Sequence, residues 1–323
     1  MAPTKQPAGS VGPMWPPQYE QGNDRVKGFY LSVVDDINEF VSLIDQLQQL
    51  QQSQNAGRVT ARMIAKDGNT YVDGEQLEAR IPLGGRWQGH TLLYYGRNHP
   101  SRKEQKRIKE QEERIIKTIG EFDETTTKDQ AFRRVVNNHN MDLQILKNPT
   151  SSDIANIVEL YASCYTEYTI PLDANGVKQL VTNPGNLVGV VRNRRNGKIA
   201  SIGIAECNYK QINTISGNRE FKFAEISDAA TYSSEEGKGF YTGIEFFLLE
   251  QLAEKEFDLV YEEARACEPP INYACRRTGM NHYGWLEKHC VLNGRRQIQE
   301  VGKYENLNVW ALTQTEIQKL FKE

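Results

Sequence analysis

Nothing in this 323-residue chain approaches the roughly 20 consecutive apolar residues that a membrane-spanning helix needs. The N-terminus also lacks the charged-then-apolar pattern of a secretory signal. No excess of one charge is present either: 39 Lys and Arg face 42 Asp and Glu, for a net charge of -3. That balance argues against sequence-independent attraction to nucleic acid or to an anionic membrane, and neither partner is expected. Cysteine is sparse, and Cys164, Cys207, Cys267, Cys275 and Cys290 are odd in number and form no C-x-x-C. A reduced, cytoplasmic protein is the expectation. The five histidines, His90, His99, His139, His282 and His289, show no H-x-x-x-H spacing, so no metal site is expected. No internal repeat at a solenoid period is present.

What is present is an ordinary globular composition, 38% hydrophobic and 25% charged, long enough for two domains with separate cores. Residues 1–22, rich in Pro and Gly, read as a mobile tail. From Val26, "VKGFYLSVV" reads as a strand. The next segment places Ile37, Phe40, Val41, Ile44 and Leu47 on one helical face, with Asp36 and Glu39 spaced as a capping box. "RVTARMIAK", "LEARIP" and "HTLLYYG" complete a small β-α-β-β-β domain over residues 23–100. Residues 101–142 read as a charged, solvated helix and linker, with acidic and basic residues alternating along it.

A second domain begins at Leu143. "LQILKNP" is a strand and "SSDIANIVELYASCYTEY" a helix with Ile154, Ile157, Val158, Tyr161 and Tyr165 on one side. A hairpin turned by Asn196-Gly197 follows, then the strand "REFKFAEISDAAT", a glycine turn and the helix "FYTGIEFFLLEQLAEK". "DLVYEEARA", a short helix and two closing strands give β-α-β-β-β-α-β-α-β-β, followed by a last short helix. Strand, turn, helix, strand in the middle is a crossover, so two central strands should be parallel.

The turn, "SEEGKG", is where chemistry enters. A helix N-terminus carries unpaired N–H groups and a partial positive charge, and Gly237 and Gly239 let backbone approach an anion. By itself the pair of glycines marks only a tight turn or a phosphate site. In its strand order it resembles the GNAT superfamily of acyl-CoA-dependent N-acyltransferases, whose corresponding turn reads [QR]-x-x-G-x-[GA]. The blocks "AEISDAAT", "EARACEPPINYACRRTGM" and "YENLNVWAL" are similar to those of the beta-lysine acetyltransferases. "NDRV" and "LEARIPLGGRWQG" carry the likeness into the N-terminal half, and 101–142 look like an addition. Two positions depart from the turn motif: Ser234 stands in the place of Gln or Arg, and Glu236 where a basic residue is common.

The resemblance implies an α/β (α+β) GNAT fold, a mixed central sheet flanked by helices over 143–323, beside the small N-terminal α/β unit. It implies acetyl-CoA as cosubstrate and acetylation of a small-molecule primary amine, beta-lysine or another basic amino acid first, with a homodimer as one arrangement. A catalytically silent acyl-CoA-binding or protein-interaction module is the alternative, as is transfer to another amine. By carry-over, the backbone of Glu236, Gly237, Lys238, Gly239 and Phe240 would hold the CoA pyrophosphate. Ala229, Ala230 and Thr231 would pair with the pantetheine, and Asn272 would touch the cofactor.

Amine transfer also needs a base, and Glu225 is the first candidate. Asp228 falls on the opposite strand face unless a bulge intervenes, and a structural hydrogen-bond role is equally open. Family members commonly protonate the thiolate with a tyrosine four residues before the glycine that ends the next helix. Counting back from Gly279 gives Cys275, for which a buried packing thiol is the other reading. Glu263 and Arg265 share a strand face and offer both signs to an amino-acid substrate, or an ion pair to each other.

Overall fold

A computed structural model describes residues 18–20, 23–67, 77–100, 102, 106–121, 126–138, 140–168, 171–291, 293–294 and 304–321. Most of the N-terminal tail lies outside the described residues. The chain divides into two units, residues 1–103 with 210–221, and residues 104–209 with 222–323.

The first unit holds β1 (Gln18–Glu20), β2 (Arg25–Val34), α1 (Ile37–Ser53), β3 (Arg58–Lys66), β4 (Leu77–Pro82) and β5 (His90–Asn98). Its strands lie in the order β1-β2-β3-β5-β4, and β2 and β3 are the parallel pair. Asp36 caps α1 by accepting from the Glu39 amide at 2.9 Å, while Glu39 reaches back to the amide of Asp35, one residue beyond the expected box. Phe40, Leu43 and Leu47 form the buried stripe of α1 against Val26, Tyr30, Val59 and Leu93. Val41, expected on that stripe, is exposed, because the face is centred on Leu43 instead.

The second unit holds α2 (Lys106–Gly120), α3 (Lys128–Asn138), β6 (Met141–Ile145), α4 (Ser151–Cys164), β7 (Tyr165–Glu167), α5 (Ala174–Thr182), β8 (Asn186–Asn193) and, apart from residues 210–221, β9 (Ile199–Thr214) and β10 (Gly217–Thr231). After these come α6 (Phe240–Glu254), β11 (Leu259–Arg265), α7 (Pro269–Arg277), β12 (Asn281–Cys290), β13 (Asn293–Gly294), β14 (Glu305–Thr313) and α8 (Gln314–Phe321). The sheet runs β6-β8-β9-β10-β11-β14-β12, and β7 pairs only with β13. β10 and β11, joined through α6, are parallel, as the crossover requires. The β8–β9 hairpin turns at Gly197, whose φ of 72° is the left-handed conformation that a tight Asn-Gly turn needs.

Two apolar clusters cover the two faces of this sheet. One gathers Ile244, Leu248, Leu249 and Leu252 of α6 with Ala224, Ile226, Val260 and Trp310. The other gathers Ile157, Leu160 and Tyr161 of α4 and Val177 of α5 with Val188, Val190 and Ala230. Residues 104–142, expected as a solvated linker, belong to the second unit. Ile119 and Val135 are fully buried in the α6 cluster, and Glu112 is buried as acceptor from Trp285 Nε1 at 3.1 Å and Asn306 Nδ2 at 2.7 Å. The narrow stripe of Ile115, Ile116 and Ile119, readable in the sequence beside the alternating charges, is what docks the helix.

Candidate active site

Three rungs hold β10 to β11, and the last pairs Glu225 with Tyr261. β10 continues to Thr231 and β11 to Arg265, where β11 is still paired with β14, so the two parallel strands part beyond that rung. A buried sheet normally satisfies every inward N–H and C=O, and a fork of this kind leaves a slot of backbone donors and acceptors in its middle. At its apex the Tyr261 hydroxyl donates to Glu225 Oε2 at 2.7 Å.

Beyond the apex, β10 changes face. Ala224 and Ile226 join the α6 cluster, yet Ala230, of the same parity, joins the α4 cluster. Strand alternation permits that only with an irregularity between them, and Asp228 supplies it with a φ of 51°. Three tyrosines pin the irregular segment. Tyr161 donates to the Asp228 carbonyl at 2.8 Å, Tyr165 to the Ala229 carbonyl at 2.6 Å, and Tyr168 to Asp228 Oδ1 at 2.7 Å. Ser227 bridges Asp228 Oδ2 at 3.2 Å and Glu206 Oε1 at 2.9 Å. Burial, with a smaller push from the Glu225 charge, raises Asp228 to about 6, against the hydrogen bonds from Tyr168 and Ser227. The expected obstacle to Glu225 and Asp228 acting at one place, opposite faces, is removed by this irregularity.

The glycine turn follows. Gly237 and Gly239 have φ of 76° and 78°, and Gly239 is the N-cap of α6 with no side chain capping the first-turn amides. A Cβ on Gly237 would meet nothing within 4 Å, so the turn itself is not packed over at that position. Glu236 is exposed, Lys238 pairs with Glu235 at 2.7 Å, and Phe240 is buried behind the turn. The stem of Arg134, from α3, lies 3.5 Å from where a Gly239 Cβ would stand, a basic residue beside the turn that the motif positions 234 and 236 lack.

Other expected site residues fall elsewhere. Asn272 is fully buried and donates to the carbonyls of Arg265 and Glu268, both at 2.8 Å, while accepting from Asn308 at 2.9 Å and Trp310 at 2.8 Å. Its hydrogen-bonding capacity is thus used within the fold, where it locks the start of α7 to β11 and β14, and its side chain has none left for a cofactor. Arg265 is bidentate to Glu305 at 2.7 Å for both bonds and reaches Glu268 at 3.3 Å. Glu263 faces His289 at 3.3 Å. Glu263 and Arg265 therefore pair with other partners rather than with each other or with open solvent. Ala229 and Thr231 are half-buried at the fork, and Ala230 is buried in the α4 cluster. The Thr231 hydroxyl lies 2.7 Å from that of Ser201.

Cys275 is fully buried, its sulfur within 4.8 Å of carboxylate oxygens of Glu245 and Glu262, and burial pushes its thiol well above the usual range. Around it the structure assembles a group with little local sequence signature. Donor atoms of Glu245, Glu262 and Cys275 lie within 4.8 Å of one another, all buried. Tyr241 donates to Glu262 Oε1 at 3.2 Å, and the Thr278 hydroxyl meets Glu245 Oε1 at 2.8 Å. The second oxygen of each glutamate has no hydrogen-bond partner among the described residues. Burial raises both carboxyls, Glu245 to about 8 and Glu262 well above the usual range, and each glutamate disfavours charge on the other. One signal was legible: Glu245 interrupts the otherwise apolar run "GIEFFLL".

No family model matches the chain. It is 25% identical over 297 residues to the beta-lysine N(6)-acetyltransferase of Methanosarcina mazei, a match covering 86% of this chain and 98% of that relative. Solved structures similar to it include the ribosomal-protein-S18-alanine N-acetyltransferase of Escherichia coli, at 13% identity and a TM-score of 0.38, covering 54% of this chain and 93% of that one. Another is the spermidine N-acetyltransferase of Vibrio cholerae with CoA and spermine, at 15% identity and a TM-score of 0.41, covering 55% and 98%. The chain thus joins a parallel fork and a glycine turn to a likeness, over most of its length, to the beta-lysine N(6)-acetyltransferase of M. mazei.

Proposed function

We propose that the protein transfers an acetyl group from acetyl-CoA to the primary amine of a small cationic acceptor, a basic amino acid such as beta-lysine first. The observation that carries this reading is the fork at Glu225 and Tyr261, open toward an uncapped glycine turn. The first-turn amides of α6 suit a pyrophosphate, and the unpaired edges of β10 and β11 suit the amides of a pantetheine arm. When bound, acetyl-CoA supplies the activated acyl carbonyl.

The chain's own groups then divide the remaining work. Glu225 takes the proton that an ammonium must lose before its nitrogen becomes nucleophilic, and the Tyr261 hydroxyl fixes the carboxylate that receives it. Asp228 and Glu206, linked through Ser227, add negative charge on the same side as the tyrosines and favour a cationic acceptor over a neutral one. The likeness to the M. mazei enzyme puts beta-lysine at the head of an acceptor panel.

Calorimetric titration with acetyl-CoA, with Gly237→Trp as the blocked control, tests the cofactor half of the reading. Absence of binding at millimolar cofactor would leave a silent module in its place. A panel of lysine isomers, polyamines and peptides, read by release of free thiol, tests the acceptor half. Turnover of peptides without turnover of diamino acids would remove beta-lysine from the proposal.

A further inference from the structure

We propose that Glu262 is the general acid that protonates the departing thiolate. The inference rests on the acyltransferase reading above and assigns a step that the tyrosine position, here Cys275, leaves open.

Glu262 is the first residue of β11 past the last rung of the fork. Tyr261 points with its rung partner Glu225 to one face, so alternation sends Glu262 to the other, toward α6 and α7. The groups it meets there are Tyr241 and Glu245 from α6 and Cys275 from α7, while Trp310 is its register partner on β14 and Glu225 acts on it from β10. It is 3% exposed, and its Oε2 has no partner among the described residues. Two carboxyls held this close inside an apolar cluster do not both ionise, since each would be a buried, uncompensated charge. Glu262 therefore carries a proton at neutral pH, on the β11 residue that follows the apex of the fork. The Cys275 thiol sits in the same cluster, and a carboxyl is the stronger acid of the two.

The step balances. The amine nitrogen, whose ammonium proton Glu225 has already taken and passed to solvent, forms a bond to the thioester carbonyl carbon and gives its second proton to Glu225. The carbon–sulfur bond breaks with its electron pair on sulfur, and sulfur takes the proton of Glu262. One proton has entered at Glu225 and one has left at Glu262, on adjacent strands and opposite faces. Transfer between the two, or exchange with solvent after product release, restores the starting state.

The same three side chains have donor types that a divalent cation uses. Two carboxylates and a thiolate would leave a net negative charge in an apolar core, so the protonated cluster is the arrangement we infer. Infrared spectra of the ligand-free protein at pH 7 should show the carbonyl stretch of a buried protonated carboxyl, weakened in Glu262→Gln. In that variant kcat should fall about 100-fold, with acetyl-CoA affinity by calorimetry unchanged. An aryl thioester, whose thiolate leaves without an acid, should recover most of the loss. Tyr241→Phe, which removes a donor favouring the charged form, should shift the alkaline limb of the kcat profile upward, and it serves if Glu262→Gln does not fold. Full kcat in Glu262→Gln, no protonated-carboxyl band, or stoichiometric zinc in the purified protein would each overturn the assignment. Failure of the wild type to bind acetyl-CoA would instead overturn the acyltransferase reading itself.

Discussion

Tyr261 and Glu225 face each other on adjacent parallel strands at the point where those strands part, joined by a 2.7 Å hydrogen bond. The contact fixes the carboxylate at the apex of the fork, which is where an amine proton must go if the transfer occurs there. Glu225→Gln keeps the shape and the acceptor oxygen but cannot take that proton. Its kcat should fall by roughly 10²- to 10³-fold, within the range for loss of a general base. Tyr261→Phe should cost less, about 10-fold, because the base remains and only its orientation loosens. Steady-state kinetics on both variants checks the order; a larger loss in Tyr261→Phe would move the chemistry to the tyrosine.

Asp228 carries a pH dependence whose sign follows from its raised pKa. The native carboxyl holds its proton up to about 6, against an ordinary aspartate value of 3.8. Between these values rising pH strips the unfolded chain first, so stability falls through that window and the full penalty is present above it. About two pKa units correspond to roughly 3 kcal/mol. Asp228→Asn has no charge to bury, accepts the Tyr168 hydroxyl equally, and tolerates the left-handed backbone at φ 51°. It should be more stable than wild type by about 2 kcal/mol at pH 8 and indistinguishable from it at pH 4. Urea melts at the two pH values provide the measurement.

Arg265 separates a structural ion pair from a substrate contact. Its partner Glu305 is fully buried, and the arginine side chain is 13% exposed. Removing one member of such a pair leaves an uncompensated buried charge, at a cost of about 3–5 kcal/mol. Arg265→Ala should lower stability by that amount in chemical denaturation. An unaltered melt with a raised KM for the amine would return Arg265 to the acceptor site.

How far the sequence reached depended on whether a feature was local. Glu225, Gly237 and Gly239 were legible because a strand, a left-handed turn and a helix start are written in consecutive residues. The parallel pairing of β10 and β11 followed from the same segment. The partners of Asn272 and Arg265 were not legible, because they lie 36 to 40 residues away in the chain, whereas for Cys275 the reading as a buried thiol is the one its burial matches. Spacing along α7 identifies Cys275 but not the buried carboxylates beside it. Tyr161 and Tyr165 read as one helical face while Tyr168 is not singled out by any pattern, and Tyr161 is core. Their hydroxyls converge on the irregular turn of β10, which no pattern in α4 announces.

The last prediction concerns the departures in the turn. With Ser234 and Glu236 where the motif has polar or basic side chains, anion binding at α6 falls to backbone amides and to whatever cation stands nearby. Arg134 is the basic residue whose stem lies against Gly239, carried there by α3, a helix outside the repeating strand order of the fold. Gly237→Ala should be tolerated by the fold, since nothing lies within 4 Å of its Cβ, at about 1 kcal/mol for the left-handed backbone. Its effect on acetyl-CoA affinity should be larger than its effect on stability if the turn holds the pyrophosphate, because the methyl group adds bulk within the turn. Arg134→Glu should leave the melt unchanged and weaken acetyl-CoA several-fold at low ionic strength, with the difference shrinking as salt screens it. Calorimetric titrations at two salt concentrations read both effects. Equal affinities for Arg134→Glu and wild type at low salt would mean that the α6 amides alone suffice, and that Ser234 and Glu236 need no compensation.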